Sequence, residues 1–404
     1  MIPLSSPDIG ELENQYVAEV LKSGQLSLGP VLSTFEERFA AALGSKYAVA
    51  AANGTAALHL CVRAMGLREG MEVLTTSFSF VASVNCLLYE KVYPKLIDVD
   101  PVTLNIDPSQ IRTFLETKCR RNIHGDLIDS ETGLHVKAIL PVHVFGLPAD
   151  MEPILSIGAE YNLEVLEDAC EAIGAEYHGR LAGTMGRAGV FGFYPNKQIT
   201  TGEGGMVVTD DASLAETCRS LRNQGRDADG QWLKHTSLGY NYRMSDVQAA
   251  LGLAQLERLP ELLAKRREVA SLYLRLLEDV AFLRLPSDAD GRTRSWFVFV
   301  IQLAIADARQ TRDALRENLK SAGIATQVYF PAIHKQPYFR QIVRDSIHLP
   351  VTEHAADSCL ALPFSTRLSE TETRFVADAV RAYFPTITAQ QEEEIQIPTK
   401  AAAE

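Results

Sequence analysis

Seven short apolar runs, separated by segments with helical spacing, occupy residues 45 to 210: YAVAAA, EVLTTS, PKLIDVD, KAILPVHVFG, LEVLEDAC, GVFGFY and GMVVTD. A strand that is apolar on both faces must be covered on both faces. Continuous runs of Val, Ile and Leu alternating with helices therefore predict a mostly parallel, seven-stranded sheet between two helical layers, an α/β fold. Such sheets place ligands beyond the carboxyl ends of their strands, so the turns after the runs are where chemistry is expected.

Beyond the sheet, residues 245 to about 277 carry apolar side chains at helical intervals with charges such as Glu257, Lys265 and Arg266 between them, which predicts one long helix bridging two domains. After about Gly291, SWFVFVIQL predicts a strand, and residues 311–322 and 370–383 predict helices, the pattern of a smaller α+β domain. The expected division is 1–250 for a large domain with its N-terminal segment, 251–389 for the linking helix and small domain, and 390–404 for a disordered tail. Residues 120–135, RRNIHGDLIDSETGLH, are polar and turn-rich and read as peripheral.

The formal charge of −12 opposes non-specific binding to nucleic acid or to an anionic membrane, so an anionic ligand has to be gripped locally. The six cysteines are scattered, with no CxxC pair, which suits reduced thiols in a cytoplasmic protein. No basic-then-apolar leader is visible, and no stretch reaches the roughly 20 apolar residues of a membrane helix. The nine histidines show neither HExxH nor another close ligand spacing, which disfavours a metal hydrolase.

Three turns carry candidate chemistry. In FGFYPNKQITTGEGGMVVTDD, Lys197 sits in a loop between two apolar runs and is followed by the flexible TGEGG, a placement in which a lysine can form a Schiff base. LEVLEDAC ends a run with Asp168, about thirty residues earlier; a carboxylate there suits either a protonated pyridine nitrogen or the cap of a following helix. AANGTAALHL sets Gly54 and Thr55 at the start of an Ala-rich helix, where free amides and a hydroxyl suit a phosphate.

Nearly the whole chain resembles the DegT/DnrJ family of pyridoxal phosphate-dependent sugar aminotransferases. The likeness runs in order through IPLSSPDIGE, LSLGP, NGTAALHL, SFSFVAS, IDVDP, LNIDP, PVHVFGLPADM, EDACEAIGAEYHG, YPNKQITTGEGG, LGYNYRMSDVQAALGLAQLERL and YFPAIHKQPYF. It implies the fold type I pyridoxal phosphate transferase architecture with a smaller α+β C-terminal domain. Carried over residue by residue, it makes Lys197 the Schiff-base lysine, Asp168 the partner of the pyridine nitrogen, and Thr55 and Ala56, next to Gly54, the phosphate-binding turn. Phe80 takes the place of an aromatic stacked on the cofactor ring, and Asn241 that of a residue reaching the cofactor phosphate of the neighbouring subunit, which implies a homodimer with shared sites. Tyr329 and His334 fall in a motif beside the sugar-binding cleft. Two positions depart from the family pattern: Gly192 stands where a phosphate-binding serine is common, and Glu171 stands near the cofactor's phenolic oxygen where glutamine or histidine is common.

The resemblance implies transfer of an amino group, most simply from L-glutamate, to a nucleotide-linked keto sugar (4-keto ahead of 3-keto) by way of pyridoxamine phosphate, for amino sugar and surface polysaccharide synthesis. Arg222, Arg226, Arg243 and Lys335 are candidates for gripping the nucleotide's diphosphate, with pairing to nearby acids as the alternative for each. A pyridoxamine-dependent dehydratase is disfavoured by Lys197. A cyclitol-type ketone as substrate, and a non-catalytic cofactor-binding regulator, are the remaining alternatives.

Overall fold

The computed structural model describes residues 1–226, 234–343 and 347–384, and the tail expected from residue 390 lies outside them. Strands β1 (Tyr47–Ala51), β2 (Met71–Thr76), β3 (Tyr93–Ile97), β6 (His135–Ile139), β7 (Glu164–Asp168), β10 (Ala188–Gly192) and β11 (Gly205–Thr209) each overlap one of the seven apolar runs. They lie in the order β1-β11-β10-β7-β6-β2-β3. Of these seven only β11 runs against its neighbours, so the sheet is mostly parallel as expected; two short antiparallel strands added beside β6 bring it to nine strands where seven were expected.

Alternation along the strands explains why the runs are apolar throughout. Val49, Val190 and Val207 face a core under helices α3 (Gly54–Ala64), α4 (Ala82–Leu88) and α7 (Ala212–Arg222). Their neighbours Ala50, Phe191 and Met206 face α2 (Pro30–Leu43) and α8 (Asp246–Glu257), with α1 (Glu11–Ser23) outside them. Farther along that second face, α5 (Pro108–Lys118) and α6 (Met151–Tyr161) cover Leu74, Ile139 and Val165.

Residues 120–135 are less peripheral than their composition suggests. They contribute β4 (Cys119–Arg121) and β5 (Leu127–Asp129), a hairpin joined to β6 through Ile128 and His135. Asp129 is fully buried there and accepts a hydrogen bond from Lys95 Nζ at 2.9 Å.

The helix expected over residues 245–277 is two helices, α8 and α9 (Leu259–Leu277), meeting at Arg258. Pro260 explains the break: it has no N–H to give the Leu256 carbonyl, and its ring crowds that oxygen. The corner is held by Arg258, whose guanidinium reaches Asp8 at 3.1 Å and Glu13 at 2.7 Å.

After α9 comes a smaller antiparallel sheet of β12 (Leu283–Arg284), β14 (Phe299–Leu303) and β15 (Cys359–Leu362), packed with α9, α10 (Ala308–Ser321) and α13 (Glu370–Tyr383). Helices α11 (Pro337–Ile342) and α12 (Pro350–Ser358) complete it. A short ladder of β8 (Glu176–Tyr177), β9 (Arg180–Leu181) and β13 (Arg292–Thr293) ties the two layers together. The strand expected over SWFVFVIQL begins only at Phe299, because Trp296 takes a left-handed conformation (φ 55°), and the turn delivers Phe297 to the cavity described next. Among the described residues, no helix is long and apolar enough to cross a membrane.

Candidate active site

Strands β1, β2, β7 and β10 run the same way, so their carboxyl ends share one edge of the sheet, and a cavity of about 1530 Å³ opens there. Gly54, Thr55, Ala56, Phe80, Asp168, Glu171, Lys197 and Tyr329 all line it; His334 and Asn241 do not.

The turn after β1 is capped by Asn53, whose Oδ1 accepts the Ala56 amide at 2.8 Å, so that amide is already engaged. The Gly54 and Thr55 amides have no acceptor among the described residues and point from a helix N-terminus, the arrangement that holds a phosphate. Glycine at 54 allows the close approach: a Cβ there would meet Cys170 Sγ at 3.0 Å and Gly192 Cα at 3.4 Å.

Asp168 closes β7 and is only 4% exposed. No helix follows it, so its side chain caps none; Oδ2 accepts Ser83 Oγ at 2.6 Å and Oδ1 accepts the Cys170 amide at 3.1 Å. Ser83 sits on α4, one turn beyond Phe80, whose ring is 60% exposed on the cavity wall. An exposed aromatic ring that shares a cavity with a buried carboxylate and a helix N-terminus matches a flat aromatic phosphate in chemistry and charge. The residues present therefore fit the cofactor that the resemblance implies.

Lys197 lies in the loop between β10 and β11, with Nζ 3.5 Å from Glu171 Oε1 and 3.8 Å from the centroid of the Phe297 ring. Glu171 Oε2 accepts the Phe145 amide at 2.9 Å, and burial pushes its carboxyl above the usual carboxylate range while Lys197 opposes the shift. Glu171 is thus turned towards the lysine.

Arg266, from α9, holds this loop from behind. It is 3% exposed and has no carboxylate partner among the described residues, and its guanidinium donates to the carbonyls of Lys197 (2.7 Å), Asn196 (3.4 Å), Trp296 (3.2 Å) and Phe297 (3.1 Å). Burial pulls Arg266 down to about 10, which still leaves it charged at neutral pH. Neither Arg266 nor Ser83 had a local signal in the sequence, since each acts on a segment far away along the chain.

Tyr329 lines the cavity and its hydroxyl accepts Asn196 Nδ2 at 3.3 Å. His334 is buried behind the wall: Nδ1 lies 2.7 Å from Ser77 Oγ and Nε2 3.1 Å from Glu353 Oε1. Because Glu353 can only accept, the Nε2–H tautomer donates to it and Ser77 donates to Nδ1. Both ring nitrogens are engaged, so His334 fixes the wall and does not face the cavity. Asn241 is exposed and pairs by its backbone with Asn223. Of the other cations considered, Arg222 is tied to Glu36 and Arg243 to Asn223, while Lys335 lines the cavity. Among the described residues, no cluster of His, Cys, Asp and Glu could hold a metal ion.

Comparison with known proteins agrees with this geometry. Residues 7–381 match the model of the DegT/DnrJ/EryC1/StrS aminotransferase family. A pleiotropic regulatory protein of Geobacillus stearothermophilus is 35% identical over 370 residues, 91% of this chain and 92% of that protein. Among solved structures, Helicobacter pylori PseC, an aminotransferase involved in the biosynthesis of pseudoaminic acid, superposes with a TM-score of 0.86 at 28% identity, covering 96% of this chain and 100% of that one. DesI, solved in the presence of its TDP-sugar product, gives 0.82 at 30% identity over 94% and 92%. The chain belongs to the DegT/DnrJ/EryC1/StrS aminotransferase family and is an aminotransferase.

Proposed function

We propose that this aminotransferase uses pyridoxal 5'-phosphate to move an amino group from L-glutamate to a nucleotide-linked keto sugar, with the 4-keto position favoured. The observation that carries the reading is Lys197 Nζ, held between Glu171 and Phe297 in the same cavity as buried Asp168 and the open amides of Gly54 and Thr55. The sugar part is supported by DesI and its TDP-sugar product.

When bound, the cofactor supplies an electron-withdrawing ring that stabilises carbanion charge beside the transferred nitrogen. The chain's own groups do the rest. The amides of Gly54 and Thr55 hold the phosphate at the start of α3. Asp168, oriented by Ser83, keeps a proton on the ring nitrogen, and Phe80 covers one ring face. The Lys197 amine, once displaced by the donor, takes the proton from the donor's α-carbon and returns it to the carbon that receives the nitrogen. Glu171 and Phe297 hold that amine in place, and Tyr329 faces the sugar. Asn241, exposed and off this cavity, reaches the cofactor phosphate of a neighbouring subunit in a cytoplasmic homodimer that serves surface polysaccharide synthesis.

The test is product analysis by mass spectrometry with 15N-labelled L-glutamate and a thymidine diphosphate 4-keto sugar or its 3-keto isomer. Label in the sugar supports the reading. Label that enters the protein's cofactor but neither sugar contradicts it and points to a ketone of another class.

A further inference from the structure

Position 171 departs from the family pattern by carrying a carboxyl, and three contacts from distant segments aim it. Its Oε2 accepts the Phe145 amide at 2.9 Å. That amide belongs to a left-handed residue (φ 55°) whose own carbonyl accepts Arg294 Nη1 at 3.2 Å, and Arg294 is only 5% exposed. Gln198 Nε2 donates to the Glu171 carbonyl at 2.6 Å and also reaches Ser295 Oγ at 2.8 Å, fixing the backbone from which the side chain springs. One carboxyl oxygen is thus anchored, and the other, Oε1, is left for Lys197 Nζ at 3.5 Å.

The pair is shielded from water, with 14% of the Lys197 side chain and 7% of the Glu171 side chain exposed. A charge on either group in such a place needs the other, because water is not there to solvate it. Among the described residues, Nζ has no other carboxylate partner. Burial has the largest effect on Glu171 and pushes its carboxyl up, Lys197 is the strongest influence pulling it down, and Asp168 at the end of β7 adds a push upward. The neighbouring Cys170 thiol and Tyr329 hydroxyl are both pushed up by burial, so at neutral pH they bring no charge of their own. The ionisation of Glu171 therefore follows the charge on Lys197.

We infer that Glu171 is a further catalytic residue: its carboxylate neutralises the ammonium that Lys197 becomes on taking up a proton, an inference that rests on Lys197 as the base of the proposed reaction. In that step a C–H bond of the donor breaks, its electron pair stays on carbon, and an N–H bond forms on Nζ. No proton moves to or from Glu171, which supplies charge in a place where water cannot. Glutamine, common at this position in the family pattern, offers a dipole instead of a charge, so this chain makes its lysine a stronger base than a glutamine would.

Three measurements on the full-length protein test the pairing. Without cofactor, acetylation of Lys197 by acetic anhydride at neutral pH, read by peptide mass spectrometry, should speed up by about tenfold in Glu171→Gln, because an ammonium without its counter-charge yields the reactive free amine more readily. Glu171→Asp keeps the charge and should react within about threefold of wild type, whereas a role confined to packing would leave it at least as reactive as the glutamine variant. In the holoenzyme, the single-turnover rate with L-glutamate should fall by about tenfold in Glu171→Gln. The converse experiment holds even if Glu171→Gln does not fold: in Lys197→Met the carboxyl loses its counter-charge and takes up a proton, so the infrared difference spectrum against wild type should gain the C=O stretch of a protonated carboxyl at neutral pH. Lys197 acetylated within twofold of the wild-type rate in Glu171→Gln, an aspartate variant as reactive as the glutamine one, an unchanged single-turnover rate, or no new carboxyl band in Lys197→Met overturns the assignment. The acetylation and infrared readouts need no substrate, so if both come out as expected while no keto sugar is aminated, the proposed reaction fails and the pair stands.

Discussion

The inner and outer ends of the cavity are built on opposite plans. At the inner end, Asp168, Glu171 and Lys197 are each largely shielded and held by named partners: Ser83 and the Cys170 amide, the Phe145 amide, and Glu171 with the Phe297 ring. At the outer end, Arg309 has a carboxylate 3.9 Å away, Arg316 a neutral oxygen at 3.3 Å, and Arg340 no side-chain partner among the described residues. A group that moves a proton must be in place before the reaction, whereas a group that captures a charged ligand from water can order itself on binding. The contrast is a difference in preorganisation.

The hardest way to break that contrast is at the lysine. Lys197→Ala should lose turnover entirely, since no second amine lines the inner end among the described residues, and steady-state kinetics checks it. Next is the carboxylate: Asp168→Asn keeps the Ser83 contact possible but removes the charge proposed to pair with the ring nitrogen, and kcat should fall by about a hundredfold or more. Third is the clamp. Arg266→Met leaves two buried and two part-buried carbonyls without their donor and should destabilise the protein by about 3 kcal/mol in denaturant unfolding, with kcat falling further than KM rises; Arg266→Lys should recover part of both.

A buried carboxyl outside the cavity sharpens the comparison, because burial alone does not make a site. Glu72, on β2 beside Asp129, is fully buried, and its carboxyl is pushed up to about 8, first by burial and then by Asp129. The folded state therefore holds a proton that the unfolded chain releases near 4.5, so the stabilising contribution is complete below about 4.5 and lost as pH rises through about 8. Between those values, stability should fall by at most about 1.4 kcal/mol per pH unit from this group, and Glu72→Gln should flatten the slope of thermal stability against pH without changing kcat. The smallest effect is expected at Gly192, where a Cβ would meet only Cys170 atoms at an ordinary 3.5 Å. Gly192→Ser should be accepted without loss of stability and tighten cofactor binding by about three- to tenfold, measured by fluorescence titration.

Much of the inner end was legible in the sequence, because local pattern determines it. Strands covered on both faces must be apolar throughout, and their ends put Gly54, Asp168 and Lys197 at one edge in chain order. What acts across the chain was not legible. Arg266 lies about seventy residues from the loop it holds, and a guanidinium bonded to carbonyls leaves no charge pattern to find. The spacing of Arg309, Arg312 and Arg316 was visible, but the packing of α10 on β14 and β15 decides that the cavity receives their face. His334 belongs to a motif beside the cleft, and only tertiary contact shows both its nitrogens spent on Ser77 and Glu353. Pro260 could have split the long helix in advance, since proline breaks the i to i−4 ladder wherever it falls inside one.

Lys197 is the group proposed to hold the cofactor and move the proton. The direct measurement is the absorbance spectrum of the purified protein with pyridoxal phosphate, before and after L-glutamate, for wild type and Lys197→Ala. A visible band in the wild type that glutamate converts to shorter wavelength, and no such conversion in the variant, is the predicted result. Conversion by Lys197→Ala at the wild-type rate, or a wild type with no band at all, would contradict it.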